Sequence, residues 1–340
     1  MPGSDRRLPV AHIPVAASEE GVRLDRWMRR RFPGLAPSAI AKMARTGQIR
    51  VDGRRVAPGA RLAAGQVVRV PPLPADALRP PLREQRLQQR PLSRQEEAFA
   101  HSLVLYEDDW VIAIAKPPGL STQGGPGIRR HVDRLAAALR RRSDEEMPRL
   151  VHRLDRETSG VLLLARTAEA AARLAASLRS RQAEKLYWAV VAGLPRPAEG
   201  EITAPLLRQP RPGGARVVVD PAGKKAHTRY QLVAQAGRRF SWVKLAPLTG
   251  RTHQLRVHLA HLGHPILGDR LYGTASARVP AGGLLRPGLH LHARRIRVPH
   301  PRDPDHLLDV RAPLPEHMRV LWEAFGWDPE EAAADEPPSG

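Results

Sequence analysis

The stretch His152-Arg153-Leu154-Asp155-Arg156-Glu157-Thr158-Ser159-Gly160 sets an acidic residue, Asp155, between two arginines. The four apolar residues that follow it, 161–164, have the length and composition of a buried strand. Thr158, Ser159 and Gly160 are small or polar and allow a tight backbone path into that strand. We therefore expect Asp155 to lie on a loop at the edge of a strand, where functional side chains are commonly found.

The chemistry open to Asp155 follows from its neighbours. Arg153 and Arg156 lie close to it in the chain, and nearby cations favour the charged form of a carboxylate. A charged carboxylate can attack a sugar carbon or abstract a proton. The same residues also fit a plainer interpretation, an arginine–aspartate ion pair on a solvated surface.

Two further blocks follow in the chain, and together with residues 152–160 they resemble the signature of the RluA family of pseudouridine synthases. The first block is KLYWAV at 185–190, and the second is LTGRTHQLRVH at 248–258, which continues into LGHPILGD at 262–269. The resemblance covers about residues 101–315. It implies the pseudouridine synthase fold, which is α+β with a central mixed, mainly antiparallel sheet, and it implies isomerisation of uridine.

The resemblance also assigns site residues. It implies that Asp155 acts on the ribose, as a nucleophile at C1′ or as a base at C2′, and that Arg256 holds it charged. Tyr187 would stack on the uracil, which must first leave its base stack, and Arg153 would contact the RNA beside it. Without the resemblance, Tyr187 reads as a buried strand tyrosine and Arg256 as a phosphate-binding arginine.

The basic block at residues 21–70 carries a second resemblance. RLDRW at 23–27, IRVDG at 49–53 and GQVV at 65–68 resemble a small α/β S4 RNA-binding domain. An S4 module before an RluA-type domain resembles the bacterial RluC/RluD branch, of which we favour the RluC type, and implies large-subunit ribosomal RNA as substrate. The RNA contacts expected in the two domains are Arg26, Arg30, Lys42, Arg45, Arg251 and His253.

Composition agrees with an RNA partner. The 340 residues carry a formal net charge of +21, which favours binding to a polyanion. The chain has no cysteine, which excludes disulfides, iron–sulfur clusters and cysteine-ligated zinc. It has no apolar run of about 18 residues and no secretory signal near its start, so we expect a cytoplasmic protein without a membrane span. We take a monomer as the default.

The predicted organisation has five parts. They are a flexible tail (1–20), the S4 domain (21–70), a proline-rich linker (71–100), the catalytic domain (101–324) and a disordered acidic tail (325–340). Within the catalytic domain, the segment 208–225 is rich in Pro, Gly, Arg and Lys. It reads either as a mobile basic hairpin that grips RNA or as a solvated loop.

No cofactor is expected, because the isomerisation is redox-neutral and the sequence has neither a phosphate-binding P-loop nor a dinucleotide fingerprint. Histidines do recur in two stretches, at His258, His261, His264, His290 and His292. Zinc binding is conceivable there, but a carboxylate at suitable spacing is missing, so we predict no metal site. Two other functions stay open at this point: a non-catalytic S4-type RNA-binding or ribosome-assembly protein, and a metal-dependent phosphodiesterase.

Overall fold

The chain forms two compact units, Met1–Pro91 and Leu92–Gly340. The computed structural model describes residues 7–78, 91–125, 128–142, 144–180, 182–211, 214–277, 287–330 and 335–338. No helix within these ranges is both long and apolar enough to cross a membrane.

The N-terminal unit packs two helices on a small sheet. The helices are α1 (Leu24–Arg31) and α2 (Pro37–Arg45). The strands are β1 (Arg7–Leu8), β2 (Ala11–Pro14), β3 (Arg50–Val51), β4 (Arg54–Arg55), β5 (Val67–Val70) and β6 (Leu73–Pro74). The sheet order is β2-β5-β3-β4, and β1 pairs with β6. Leu24, Trp27 and Met28 of α1 are fully buried and form the centre of this core.

The prediction of a flexible tail over residues 1–20 is wrong from residue 7 onward. Strand β2 pairs antiparallel with β5, and Val15, just after it, is 3% exposed. Glu19 accepts a hydrogen bond from the indole of Trp27 and forms an ion pair with Arg31. The apolar residues here alternate with a period of two over only a few positions, which is too short a pattern to indicate a strand reliably. Residues 1–6 lie outside the described ranges.

The prediction of a linker over residues 71–100 is wrong at both ends. Strand β6 and a 3-10 helix (Ala75–Leu78) belong to the N-terminal unit, while α3 (Arg94–Ser102) belongs to the second. Ser93 and Glu96 form a capping box at the start of α3, which is a local signal for a helix start. The middle of the predicted linker, residues 79–90, lies outside the described ranges.

The second unit is built on a large mixed sheet, which confirms the predicted α+β class. The strands of this unit are β7 (Val104–Glu107), β8 (Val111–Lys116), β9 (Arg149–Leu150), β10 (Ser159–Ala165), β11 (Glu184–Ala192), β12 (Glu199–Thr203), β13 (Leu206–Arg211), β14 (Gly214–Val219), β15 (His227–Ala236), β16 (Phe240–Pro247), β17 (Leu291–Pro299) and β18 (Leu307–Arg311). The main order is β12-β15-β16-β11-β17-β10-β8-β7. Among the described strands, β10 and β17 form the parallel pair and the other neighbours are antiparallel.

Helices cover both faces of this sheet. They are α4 (Val132–Leu135), which continues as a 3-10 turn (Ala136–Leu139), α5 (Ala168–Arg179), α6 (Gln254–His261), α7 (Glu316–Phe325) and a 3-10 turn (Ala275–Ala277). Residues 162 and 164 of β10 pack against the α4 side, whereas 161, 163 and 165 pack against α5. Burial on both faces explains why this strand reads as a continuous apolar run rather than an alternating one.

The parallel junction of β10 and β17 lies directly after the Asp155 loop. Ser159 is in register with His292 and Gly160 with Ala293. Gly160 has φ +116°, and a Cβ there would lie 2.2 Å from the carbonyl oxygen of Ala293. A glycine is therefore required for the close approach of the two strands, which sets where the loop begins.

The segment 208–225 contains a hairpin as predicted, since β13 and β14 pair antiparallel along their length. Residues 212 and 213 at its tip lie outside the described ranges. Whether this hairpin grips RNA stays a prediction.

The prediction of a disordered tail over residues 325–340 is wrong for its described part, 325–330 and 335–338. Trp327 is 7% exposed and packs on Trp242 and Trp322. Asp335 lies 2.9 Å from both Arg294 and Arg311. The tail is ordered because the arginines of β17 and β18 take their counter-charge from a carboxylate far along the chain, a pairing that tail composition does not reveal.

Candidate active site

The Asp155 loop is held by hydrogen bonds to its main chain. The Thr122 hydroxyl donates to the Leu154 carbonyl over 2.7 Å and accepts from the Leu154 amide over 3.2 Å. The Thr158 amide donates to the Asp155 carbonyl over 3.1 Å and closes a turn. These bonds fix the backbone on both sides of Asp155 and leave its carboxylate unrestrained.

Lys116 holds the far side of the same loop from within the protein. It is 1% exposed, and its Nζ donates to the carbonyls of Pro117, Leu120 and Arg156 over 3.1, 2.8 and 3.0 Å. Burial lowers the pKa of Lys116 to about 7, although the carboxylates of Glu157 and Asp155 act in the opposite direction. The buried amino group of Lys116 anchors the residue that follows Asp155.

A cavity of about 280 Å³ opens beside Asp155. The residue types around it are cationic, hydroxyl-bearing and aromatic, and they come from the Asp155 loop, β11 and the segment before α6. The titratable side chains that line it are His152, Arg153, Asp155, Lys185, Tyr187, Arg251, His253 and Arg256. The structure thus brings together the three residue blocks on which the family resemblance rested.

Tyr187 reaches the cavity from β11 at a β-bulge. The pairing of β11 with β17 shifts between Leu186 and Tyr187, and bulges of this kind re-aim side chains. Burial raises the pKa of the Tyr187 phenol well above its usual value, and the charge of Asp155 raises it further. The phenol is therefore protonated at neutral pH.

Arg256 lies within reach of Asp155 but is hydrogen-bonded elsewhere. Its Nη1 is 3.9 Å from Asp155 Oδ2, whereas its Nε and Nη2 each lie 2.7 Å from the carboxylate of Asp269. Burial raises the pKa of Asp269, but the hydrogen bonds and charge of Arg256 outweigh burial and hold that pKa below its usual range. The expected partner of Asp155 is thus clamped in place by a second, buried aspartate.

His253 lies closer to Asp155 than the sequence suggested. It precedes α6 with φ +54°, and its Nε2 is 3.9 Å from Asp155 Oδ2. Its Nδ1 is 2.8 Å from the Tyr272 hydroxyl. The His253 side chain is 22% exposed and lines the cavity, and its contact with RNA stays a prediction.

The other cations predicted to bind RNA are exposed. Arg153 and Arg251 border the cavity, and the Arg251 Nε donates to the Lys225 carbonyl over 3.1 Å. In the N-terminal unit the exposed cations are Arg26 and Arg30 on α1 and Lys42 and Arg45 on α2. Nothing among the described residues tests whether they touch RNA.

Three of the histidines that allowed a zinc interpretation make hydrogen bonds within the fold. His258 is fully buried between the Thr228 hydroxyl and the Ala204 carbonyl, at 2.9 and 3.0 Å. His292 lies 2.9 Å from the Ser159 hydroxyl, and His264 lies 2.9 Å from the Ala192 carbonyl. No group of three or more metal-ligating side chains occurs in the part of the chain that the structure describes.

Sequence reasoning missed four residues that shape the site: Lys116, Thr122, Asp269 and Tyr272. Asp269 ends the block at 262–269, thirteen positions after Arg256. The two opposite charges were visible in the sequence, but their distance in space was not. Lys116 follows an apolar strand and precedes Pro117-Pro118-Gly119. A lysine at the inner end of a buried strand was the available signal for an anchored loop.

The chain is similar to known proteins over most of its length. The family model for RNA pseudouridylate synthase matches residues 110–261. Ribosomal large subunit pseudouridine synthase C of Yersinia pestis is 36% identical over 310 residues, covering 90% of this chain and 93% of that protein. Its namesake in Escherichia coli K12 is 34% identical over 319 residues, covering 90% and 94%.

A solved human structure shares the architecture. RNA Pseudouridylate Synthase Domain Containing 4 superposes with a TM-score of 0.57 at 28% identity, covering 69% of this chain and 98% of that one. The similarity to the synthase C proteins extends along nearly the whole of both chains. The chain therefore belongs to the RluA family of pseudouridine synthases, enzymes that isomerise uridine in RNA.

Proposed function

We propose that this enzyme modifies specific uridines of large-subunit ribosomal RNA, and that Asp155 is the group that acts on the ribose. One observation carries the assignment. The Asp155 carboxylate borders the cavity, is 17% exposed and makes no side-chain hydrogen bond to another described residue, while side-chain nitrogens of Arg256 and His253 stand 3.9 Å away. An ionisable group whose carboxylate makes no hydrogen bond at the wall of a cavity is available for chemistry.

The reaction needs a group of this kind. The bond from ribose C1′ to uracil N1 breaks, the base turns, C5 bonds to C1′, and the C5 proton is lost as N1 gains one. Asp155 assists as a nucleophile at C1′ or as a base at C2′, and Arg256 supplies positive charge beside it. Atoms and electrons balance within the substrate, so the proposal includes no cofactor and no metal.

Tyr187 is proposed to stack on the flipped uracil. Its raised pKa keeps the phenol protonated at neutral pH, which suits a stacking surface and a hydrogen-bond donor more than a resting general base. An aromatic ring on the wall of the cavity also offsets part of the stacking lost when the base leaves the helix.

The N-terminal unit is proposed to be an S4-type RNA-binding module. Its exposed cations Arg26, Arg30, Lys42 and Arg45 would contact phosphates, and Arg153 and Arg251 would do so at the cavity mouth. The names of the relatives support large-subunit ribosomal RNA as the substrate. A ribosomal substrate would place the enzyme in the cytoplasm. We keep the monomer as its expected state.

The first experiment compares Asp155→Ala with Glu157→Gln. Both remove one carboxylate from the same loop, and the Glu157 side chain is 51% exposed beside Arg156. Transcribed large-subunit ribosomal RNA is incubated with each protein in excess EDTA, and pseudouridine is mapped by carbodiimide primer extension. We expect full activity from the wild type and Glu157→Gln, and none from Asp155→Ala, which still binds RNA. Modification by Asp155→Ala, or a loss of wild-type activity in EDTA, would overturn the proposal.

The substrate is tested separately. Pseudouridines are mapped in total RNA from a strain that lacks the gene and from the same strain complemented with wild type or Asp155→Ala. We expect sites in large-subunit ribosomal RNA to disappear and to return only with the wild type. If the missing sites lie in transfer RNA or small-subunit RNA, the proposed substrate is wrong even though the activity stands.

A further inference from the structure

Tyr272 lies between the β13–β14 hairpin and the active site. It is 7% exposed, and its hydroxyl accepts the Val217 amide of β14 over 3.1 Å. The same hydroxyl is 2.8 Å from His253 Nδ1. Its ring is flanked by two guanidinium groups, Arg216 of the hairpin at 5.3 Å and Arg256 of the active site at 5.1 Å. One buried side chain thus contacts the hairpin and the wall of the cavity.

The directions that these hydrogen bonds can take favour one tautomer of His253. The Val217 amide can only donate, so the Tyr272 oxygen accepts from it and has its own proton to give. Burial raises the pKa of Tyr272, so the phenol keeps that proton, and His253 Nδ1 is positioned to accept it. A neutral imidazole whose Nδ1 accepts carries its proton on Nε2. That nitrogen is the one that faces Asp155.

The charge state of His253 agrees with this tautomer. Burial lowers the pKa of His253, and the charges of Arg256 and Arg153 act in the same direction, whereas Asp155 and Asp269 oppose them. The net direction is downward, so the ring is neutral at neutral pH.

The backbone of His253 is also restrained. Its φ of +54° lies in the left-handed region, which histidine adopts less readily than glycine or asparagine. Among the described residues, Asp52 is the other non-glycine residue with a positive φ. A restrained conformation at the wall of a catalytic cavity indicates that side-chain direction matters there.

We propose that His253 is a positioning residue for Asp155, and that Tyr272, tied to the β13–β14 hairpin, sets its tautomer so that Nε2–H points at the carboxylate. The inference rests on the proposed role of Asp155. The present 3.9 Å is too long for a hydrogen bond. Such contacts are often long in a free enzyme and shorten when substrate is bound. Asp269 clamps Arg256 at two atoms, whereas Tyr272 holds His253 at Nδ1 and leaves Nε2 directed at Asp155.

The discriminating pair of variants is His253→Asn and His253→Gln. Asparagine tolerates the left-handed backbone but is too short to place an N–H where Nε2 lies, whereas the longer glutamine amide can do so. At saturating ribosomal RNA transcript, His253→Asn should lower the single-turnover rate by about tenfold or more, the scale of one hydrogen bond to a charged group. His253→Gln should restore most of that rate, and the Kd for RNA should match the wild type in both.

Tyr272→Phe tests the tautomer. It keeps the ring between Arg216 and Arg256 but removes the hydroxyl. Its rate loss should resemble that of His253→Asn, and the double variant should be no slower than either single one, because both break the same contact. Histidine ¹⁵N shifts of the free protein should show the Nε2–H form for His253 in the wild type and lose that signature in Tyr272→Phe.

Three results would overturn the inference. The first is a weaker Kd for RNA with an unchanged rate in His253→Asn, which would make His253 an RNA contact. The second is a rate that His253→Gln does not restore, and the third is an Nδ1–H tautomer of His253 in the wild type. The tautomer is measured without RNA and does not depend on what Asp155 does. Activity of Asp155→Ala would refute the proposed function instead, so the two failures are distinguishable.

Discussion

Two walls of the cavity hold their polar groups in different ways. In the Asp155 wall (residues 152–158), Thr122 and Lys116 bind main-chain atoms, and the carboxylate itself makes no hydrogen bond to another described residue. In the His253 wall (residues 249–256), the functional side chains themselves are bound, Arg256 by Asp269 and His253 by Tyr272. The carboxylate that we propose to react is positioned through its backbone, whereas the Arg256 and His253 side chains are held directly.

This difference suits the two tasks. A nucleophile or base must be free to meet a substrate atom, so restraints on its carboxylate would compete with the reaction. A donor is useful only if it is already aimed, because preorganised dipoles need no reorganisation during the reaction. The comparison therefore predicts different losses when each wall is broken.

The largest effect is expected in the His253 wall. Asp269→Ala leaves the buried Arg256 guanidinium without its carboxylate, and breaking a buried pair typically costs about 3–5 kcal/mol. Urea denaturation followed by tryptophan fluorescence should show this loss in the free energy of unfolding. Asp309→Ala is the matched control, because Asp309 also pairs with an arginine, Arg295, but its side chain is 34% exposed. Equal losses of unfolding free energy in the two variants would contradict the larger cost expected for the more deeply buried Arg256–Asp269 pair.

A pH effect is expected in the Asp155 wall. The folded-state pKa of Lys116 is lowered from 10.5 to about 7. Between those values the unfolded chain holds the proton and the folded chain does not, so stability should rise with pH in that window. Relative to Lys116→Met, the wild type should gain about 2 kcal/mol in unfolding free energy between pH 7 and pH 9. If the difference in unfolding free energy between the wild type and Lys116→Met does not change with pH, the three carbonyl partners keep Lys116 protonated.

A smaller effect is expected from Thr122→Val, which removes both hydrogen bonds to Leu154 without changing the shape of the side chain. Leaving those backbone groups unpaired should cost about 1–2 kcal/mol. The rate at saturating RNA should fall while the Kd for RNA stays constant, because the Asp155 loop loosens. Thr122→Ser retains the hydroxyl and should behave as the wild type. A changed Kd with an unchanged rate would argue against this role of the loop anchor.

The smallest effect is expected outside both walls. Arg30→Ala removes one exposed cation from α1 and should reduce the slope of log Kd against log salt by about 0.7–0.9. The single-turnover rate at saturation should not change. The control is Arg319→Ala, since Arg319 is also exposed but is already paired with Glu316 and Glu323. An unchanged slope for Arg30→Ala would remove Arg30 from the proposed RNA surface.

Much of the fold and site was predictable from residues close together in the chain. The loop before β10, the buried character of that strand and the mixed, mainly antiparallel sheet were predicted from local patterns and the family resemblance. The tails were misjudged because proline, charge and short apolar patterns dominate their composition. Val15 and Asp335 are ordered by strands and arginines that lie far from them in sequence.

The sequence predicted the chemistry of the chain, because the proposed reacting groups Asp155, Tyr187 and Arg256 stand in contiguous blocks whose residue types are specific. How those groups are held follows from the tertiary structure. Arg256 binds Asp269 as well as facing Asp155, and His253 is tied through Tyr272 to a strand of another hairpin. The physical reason is that hydrogen bonds and ion pairs depend on distances of about 3 Å between atoms that sheet pairing brings together from distant parts of the chain.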